Sequence, residues 1–374
     1  MEALKHFESL IKDELARVER MKKSEAVDFK TLSKIKIGVV DGDGIGPIIT
    51  GATQRVLEHL LKKEIKAKKV EIVAIDGLTL ENRIKAMKAI PDDLLAKIKD
   101  CHVILKGPTA TPDSLSGMPN LESANVRMRK ELDLFANVRP VAIPELGIDW
   151  CFFRENTEGA YAAGSRGINV TDDLAIDFTI TTRQGTERIA RAAFDYAVAN
   201  NKTKIAVVTK ANAVKTTDGN FLKICSEVAE KEYPGLVVES WYADIISANL
   251  INESRRASYE VFVCPNLYGD ILTDEAAQIQ GGVGTAAGAN IGSRYAMFEA
   301  IHGSAPRMVA EGRAMWSDPR GIMRAGAMML SHIGYTNYAD KLQFALLTLP
   351  CGMYNKTETC DEYTKKLVDY LSKP

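Results

Sequence analysis

Short apolar runs alternate with stretches of helical periodicity along most of this chain. IKIGVV at residues 35–40, VEIVAID, CHVILKGP, WCFFREN, KIAVVTKAN, VVESWYAD and YEVFVC predict strands, and the most apolar of them predict buried ones. DFTITTR, rich in β-branched residues, predicts one more. Helical spacing predicts helices from about Ile48 to Leu61, around Pro91–Lys99, through ANVRMRKELDLF, in ERIARAAFDYAVANN, and over most of the tail from Gly321. Strands alternating with helices predict an open α/β sheet. Ahead of them, Leu4, Phe7, Ile11, Leu15 and Val18 recur at helical spacing among Lys, Glu and Arg. That pattern predicts one amphipathic helix packed on the body or on a partner.

A chain of 374 residues is long for one core, so two domains are expected. A net charge of -1 gives no electrostatic case for nucleic acid or an anionic membrane. No apolar run approaches the roughly 20 residues that span a bilayer, and the charged N-terminus lacks an apolar signal core. The six cysteines contain no CxxC pair and read as reduced structural thiols. A cytoplasmic location is expected, with an organelle matrix as the alternative.

Candidate chemistry begins after YEVFVC, where Asp270 and Asp274 fall four residues apart in the first turns of a helix. Side chains at that spacing share a face, so both carboxylates can reach one hard cation. A solvated acidic helix start gives the same pattern. In DGDGIGP the third glycine is displaced from GxGxxG, so a tight turn that lets helix and strand pack closely is at least as good a reading as a dinucleotide-binding loop, and the simple Rossmann reading is declined. KGPTATPDSLSGMPNLE is rich in Pro, Gly, Ser and Thr and reads as a lid or substrate loop. Ser123, Asn125, Arg129, Arg139 and Arg154 gather around one helix and two strands, and guanidinium forks match carboxylates. The competing reading pairs Arg129 and Arg139 with Glu131 and Asp133 on the surface.

Taken together, NLYGDILTD, HGSAP, and the ordered series SxNxxxR, NVRP and FREN resemble the isocitrate and isopropylmalate dehydrogenases, the β-decarboxylating family, over about residues 35 to 370. The resemblance implies a two-domain α/β fold. A large domain would comprise 35–134 and 281–374, and a smaller one 135–280, with a dimer arm near 159–185 and residues 1–34 as an extension. It implies that Ser123 and Asn125 meet the γ-carboxylate of isocitrate, with Arg129, Arg139, Arg154 and Asn212 completing substrate binding. Tyr161 and Lys210 match the acid–base residues, the lysine donated by the neighbouring subunit of a homodimer with shared active sites. Asp244, Asp270 and Asp274 match the ligands of Mg²⁺ or Mn²⁺, Asp244 again from across the interface. His302, Gly303, Ser304, Ala305 and Pro306 resemble the adenosine loop, and Thr111 would flank the nicotinamide. Arg307 and Met308 stand where NAD-using relatives tend to carry Asp-Ile and the bacterial NADP type Lys-Tyr, and Asp318 stands where Asn is usual. NAD and NADP both stay open, with Arg307 tipping the reading toward NADP. The implied activity is oxidative decarboxylation of isocitrate to 2-oxoglutarate. The alternatives are homoisocitrate or 3-isopropylmalate as substrate, or a regulatory subunit of a hetero-oligomer.

Overall fold

The computed structural model describes residues 2–23, 25–112, 117–119, 121–164, 166–282, 284 and 286–373. They group into two compact units. An outer unit is made of residues 27–132 and 281–374, and a middle unit of residues 1–26 and 133–280. Part of the predicted lid loop, residues 113–116 and 120, lies outside the described residues.

The outer unit carries strands β1 (Ile35–Val40), β2 (Val70–Ala74) and β3 (Val103–Lys106), together with two later ones, β11 (Ala287–Ile291) and β12 (Ala296–Ala300), in the order β2-β1-β3-β12-β11. β1 pairs in parallel with β2 and β3, β3 in parallel with β12, and β11 antiparallel with β12. β1, β3 and β12 are almost wholly buried, which is why they read as continuous apolar runs instead of alternating ones. The predicted helices form at Gly46–Leu60 and Asp92–Lys99, and the tail folds as helices Arg320–His332, Thr336–Thr348 and Cys360–Leu371. β11 was not expected: AGANI has one β-branched residue and two alanines, so nothing local marks it as a strand. Its ladder with β12 supplies what its own composition does not.

DGDGIGP turns from β1 into the first of these helices, and its glycines serve close approach. A Cβ on Gly42 would sit 2.2 Å from the Pro108 carbonyl oxygen, and one on Gly44 would sit 2.0 Å from that of Ser304. The turn therefore holds two loops, KGP and HGSAP, against the first helix.

The middle unit carries β4 (Ala136–Ile143), β5 (Ile148–Glu155), β8 (Lys204–Thr209), β9 (Val237–Tyr242) and β10 (Val261–Cys264) in the order β4-β5-β10-β8-β9. β4 pairs antiparallel with β5, while β5 with β10, β10 with β8 and β8 with β9 run parallel. Its core is aromatic: Phe152 and Phe262 stack with centroids 4.2 Å apart, and Trp150 meets both edge-on. A separate two-stranded ribbon joins β6 (Ile168–Thr171) to β7 (Leu174–Ile176). The predicted strand DFTITTR is not one. Ile180 makes a single bridge to Gly159, and the stretch leads instead into helix Arg183–Ala199. β-branched residues favour extended backbone, but extended backbone becomes a strand only where a ladder forms, and here one bridge does.

The N-terminal helix forms at Glu2–Met21. Its predicted apolar stripe points outward, with Leu4 72% and Leu15 63% exposed, while Leu10 and Met21 are buried. Arg17, on the inner face, pairs with the buried Glu158, and Phe7 reaches sideways to stack on Phe178. A buried ion pair is intolerant of rotation, whereas apolar contacts are not directional, so the pair sets the helix's roll. All six cysteines are free thiols, and burial pushes Cys101 up to about 11 and Cys151 up to about 12. Among the described residues no helix is long and apolar enough to cross a membrane.

Candidate active site

Helix Asn266–Ile279 starts one residue after β10 and carries Asp270 and Asp274 on one face. Both carboxylates, half-open to water, are paired with arginines. Arg154, buried at the end of β5, donates from Nη1 to Asp270 and from Nε and Nη2 to Asn266 Oδ1 at 2.9 and 2.6 Å. A Cβ on Gly269 would lie 2.6 Å from Arg154 Cγ, so the glycine lets the arginine lie against the helix. Arg139 of β4 donates from Nη1 to Asp274 at 2.8 Å and to Thr273 at 2.7 Å. The Tyr161 hydroxyl donates to Asp270 at 3.2 Å, its ring 5.8 Å from the Arg154 guanidinium. Five of the residues singled out in the sequence thus meet in one cluster. The surface-pairing alternative for the arginines fails, because Asp133 is held bidentately by Arg188 and Glu131 by Lys99 and Arg127.

Lys210 and Asp244 form a second set in the same unit, paired at 2.5 Å with Lys210 Nζ 5.7 Å from the Tyr242 ring. The lysine's hydrogen bond and charge hold the Asp244 carboxyl below the usual range. The turn that presents Lys210 is fixed from beneath by Asp218, which accepts its backbone N–H at 2.7 Å, and Asn212 stands exposed in the same turn. Asp270 and Asp274 offer hard oxygens of the kind Mg²⁺ or Mn²⁺ takes. Among the described residues no group of three or more His, Cys, Asp or Glu that could hold a metal ion gathers within the chain.

In the outer unit, Ser123 stands at the N-cap of helix Ala124–Glu131 without spending its hydroxyl on the cap. Asn125 accepts from Thr109 at 3.0 Å, and Arg129 Nη2 lies 3.7 Å from Glu299. Glu299, on β12, also takes Lys106 Nζ at 3.1 Å and Asn290 Nδ2 at 2.9 Å. Burial favours protonating it, but the charges of Lys106 and Arg129 outweigh burial and hold it at about 2. Lys106 and Glu299 escaped the sequence reading. The one available signal was a lysine closing an otherwise buried strand. Arg83 escaped it too. Fully buried, it donates to the carbonyls of Ala89, Ala110 and Glu122 and so ties down both ends of the loop that carries Thr111. Thr111 itself is exposed.

A cavity of about 410 Å³ opens beside the HGSAP loop, lined by His302, Gly303, Ala305 and Asp318. Ser304 is buried and its carbonyl accepts Ile45 N–H at 3.1 Å, while Ala305 takes a left-handed conformation that starts helix Pro306–Ala310. Asp318 is held by Arg320 at 2.7 Å. Arg307 is 87% exposed and pairs with Glu311 at 2.7 Å, outside the cavity lining. The lining instead includes Arg313, Tyr354 and Lys356, none of which the sequence reading located. Arg313 shares Glu311 with Arg307, and Lys356 lies 5.6 Å from the Trp316 ring.

The family model described as Isocitrate/isopropylmalate dehydrogenase matches residues 36–361. A mitochondrial protein of Saccharomyces cerevisiae named isocitrate dehydrogenase [NAD] subunit 2 is 35% identical over 333 residues, 87% of this chain and 85% of that one. An isocitrate dehydrogenase [NADP] of Rickettsia bellii is 38% identical over 341 residues, covering 88% and 65%. A homoisocitrate dehydrogenase of Methanocaldococcus jannaschii is 34% identical over 329 residues, covering 83% and 89%. The solved isocitrate dehydrogenase from Methylococcus capsulatus superposes with a TM-score of 0.76 at 33% identity, covering 91% of this chain and 100% of that one. The chain belongs to the isocitrate/isopropylmalate dehydrogenase family.

Proposed function

We propose that the chain oxidises and decarboxylates isocitrate to 2-oxoglutarate, passing hydride to a nicotinamide cofactor, as a homodimer whose subunits share their active sites. The observation that carries the substrate choice is Ser123, whose hydroxyl sits at a helix start and makes no capping bond, beside Asn125 and Arg129. A hydroxyl and an amide suit a carboxylate, and leave polar groups unpaired against an alkyl group, at about 1–3 kcal/mol each. Arg139 and Arg154 present buried forks that bind the remaining carboxylates and orient the substrate. Lys210 takes the proton from the C2 hydroxyl, and Tyr161 delivers one to the carbon that loses CO₂. Asp270 and Asp274, with Asp244 of the partner subunit, would hold a divalent cation, which when bound would supply Lewis acidity toward the substrate hydroxyl. The cavity beside His302 would hold the adenosine end of NAD or NADP. The proposed layout, a large domain of 35–134 and 281–374 and a smaller one of 135–280, is supported by the two units, which divide residues 1–34 between them at Ala26; the stretch 159–185, which includes the ribbon β6–β7, would be the dimer arm. A second reading, the same chemistry on homoisocitrate, is supported by the archaeal relative.

The test is reduced-nicotinamide formation with Mg²⁺, either cofactor, and isocitrate, homoisocitrate or 3-isopropylmalate. Isocitrate is expected to have the highest kcat/KM, and Ser123→Asp to abolish its oxidation by setting two anions together. Equal efficiency on isocitrate and 3-isopropylmalate rejects the assignment. Mixing Lys210→Ala with Arg129→Ala chains is expected to restore activity in verified heterodimers, and no gain over either parent rejects the shared site.

A further inference from the structure

We propose that Arg17, on the N-terminal helix and outside the family match, is a positioning residue for the substrate arginine Arg154. The inference rests on the functional reading above. Arg17 Nη2 donates to Glu158 Oε1 at 2.7 Å, and its Nε is steadied by Glu14 at 2.7 Å. Glu158 is 3% exposed and sits against the start of helix Arg183–Ala199, accepting the Thr182 N–H at 2.8 Å and its hydroxyl at 2.5 Å. The fit is close enough that a Cβ on Gly185 would lie 2.3 Å from Glu158 Oε1. Glu158 is thereby clamped on both sides. Its backbone carbonyl, held in place by that clamp, accepts Asn266 Nδ2 at 2.9 Å. Asn266 Oδ1 in turn accepts both Nε and Nη2 of Arg154, leaving Nη1 for Asp270. Arg154 has no freedom to choose its direction: Asn266 dictates it, and Glu158 dictates Asn266.

Removing Arg17 leaves Glu158 buried beside a second carboxylate, Glu155, whose own ligands are the N–H groups of Thr157 and Glu158. Arg188, whose charge acts on Glu155, is bonded to Asp133 and Thr157 Oγ1. A buried carboxylate stripped of its cation moves toward water, and the turn at residues 155–158 moves with it. Two further contacts bind the helix to the Tyr161 segment: His6 Nε2 lies 2.9 Å from the Arg166 carbonyl, and Arg166 pairs with Asp13 at 2.6 Å. The helix thus braces both Arg154 and the loop after Tyr161.

The test uses full-length Arg17→Met, Arg17→Lys and Arg17→Met/Glu158→Gln. Arg17→Met is expected to raise KM for isocitrate about tenfold, the scale of couplings carried through packed polar networks. KM for the cofactor is expected to stay unchanged. The Arg154 Nε–H resonance is expected to shift, and the rise in Tm produced by isocitrate with Mg²⁺ to shrink. Arg17→Lys, which keeps the charge, and the double variant, which removes the need for it, are expected to recover most of the loss. An Arg17→Met protein with lowered Tm but wild-type KM for isocitrate and an unmoved Arg154 resonance overturns the proposal. If the wild type does not oxidise isocitrate the functional reading fails, while the Arg154 resonance still decides the positioning claim.

Discussion

Each unit buries a glutamate beside its candidate site, and the two are treated in opposite ways. Glu299, in the outer unit, is flanked by Lys106, Arg129 and Asn290 and is held at about 2. Glu155, in the middle unit, is buried next to Glu158, and burial and that neighbour's charge push it up to about 7. Hydrogen bonds from Thr157 and the more distant Arg188 only partly oppose the rise. Burial is common to both, so the difference lies in the supply of cations. In the middle unit two arginines are spent on Asp270 and Asp274 and a third, Arg17, on Glu158. Positive charge there goes to Asp270, Asp274 and Glu158, and Glu155 keeps only the weaker pull of Arg188.

The strongest way to break this contrast is Lys106→Met. It leaves Glu299 buried with less than its full complement of cations, and about 3–5 kcal/mol of stability is expected to be lost at neutral pH. Adding Glu299→Gln should recover most of it, and urea melts of the three proteins read the result directly. Because Glu299 is depressed from 4.5 to about 2, its contribution is fully present above pH 4.5 and disappears as pH falls toward 2. The loss in Lys106→Met should shrink over the same window, and a deficit that ignores pH counts against the charge account.

Glu155→Gln probes the other side with a smaller effect of opposite sign. Its folded-state value is raised from 4.5 to about 7, so it contributes stability as the acid below pH 4.5 and loses that contribution as pH rises through 7. The glutamine variant is therefore expected to gain about 1–3 kcal/mol on the wild type at pH 8 relative to the difference at pH 4.5. Paired denaturation curves at the two pH values measure this, and a pH-independent difference would mean that Glu155 is ionised throughout.

The smallest effect is expected at Arg307. At 87% exposed and already on Glu311, it is the kind of cation whose pairing is weak in water. Arg307→Asp should move the kcat/KM ratio toward NAD by less than about tenfold, whereas a buried, hydrogen-bonded charge is worth more. The cavity-lining Arg313 and Lys356 make the sharper comparison, with a larger shift expected on replacing either. A shift of a hundredfold at Arg307 alone would show that exposure does not discount this charge.

Much of this molecule was readable along the chain because the deciding interactions are local. IKIGVV and YEVFVC are strands because buried parallel strands need apolar residues on both faces, a property each run carries in itself. Asp270 and Asp274 share a face because helical geometry alone puts residues four apart together. The ordered motifs likewise placed the chain in its family. What the tertiary structure alone decided are matters of partnership. AGANI forms a strand paired with AMFEA, whereas among the described residues DFTITTR makes a single bridge, from Ile180 to Gly159. The N-terminal helix turns its apolar stripe outward because Arg17 finds Glu158, 141 positions along the chain. Lys106 meets Glu299 across 193 positions, and Arg313, Tyr354 and Lys356 reach the cavity from beyond the motif that announces it. A single sequence records which residues carry charge. Which opposite charge each one meets depends on distances that exist only once the chain has closed on itself.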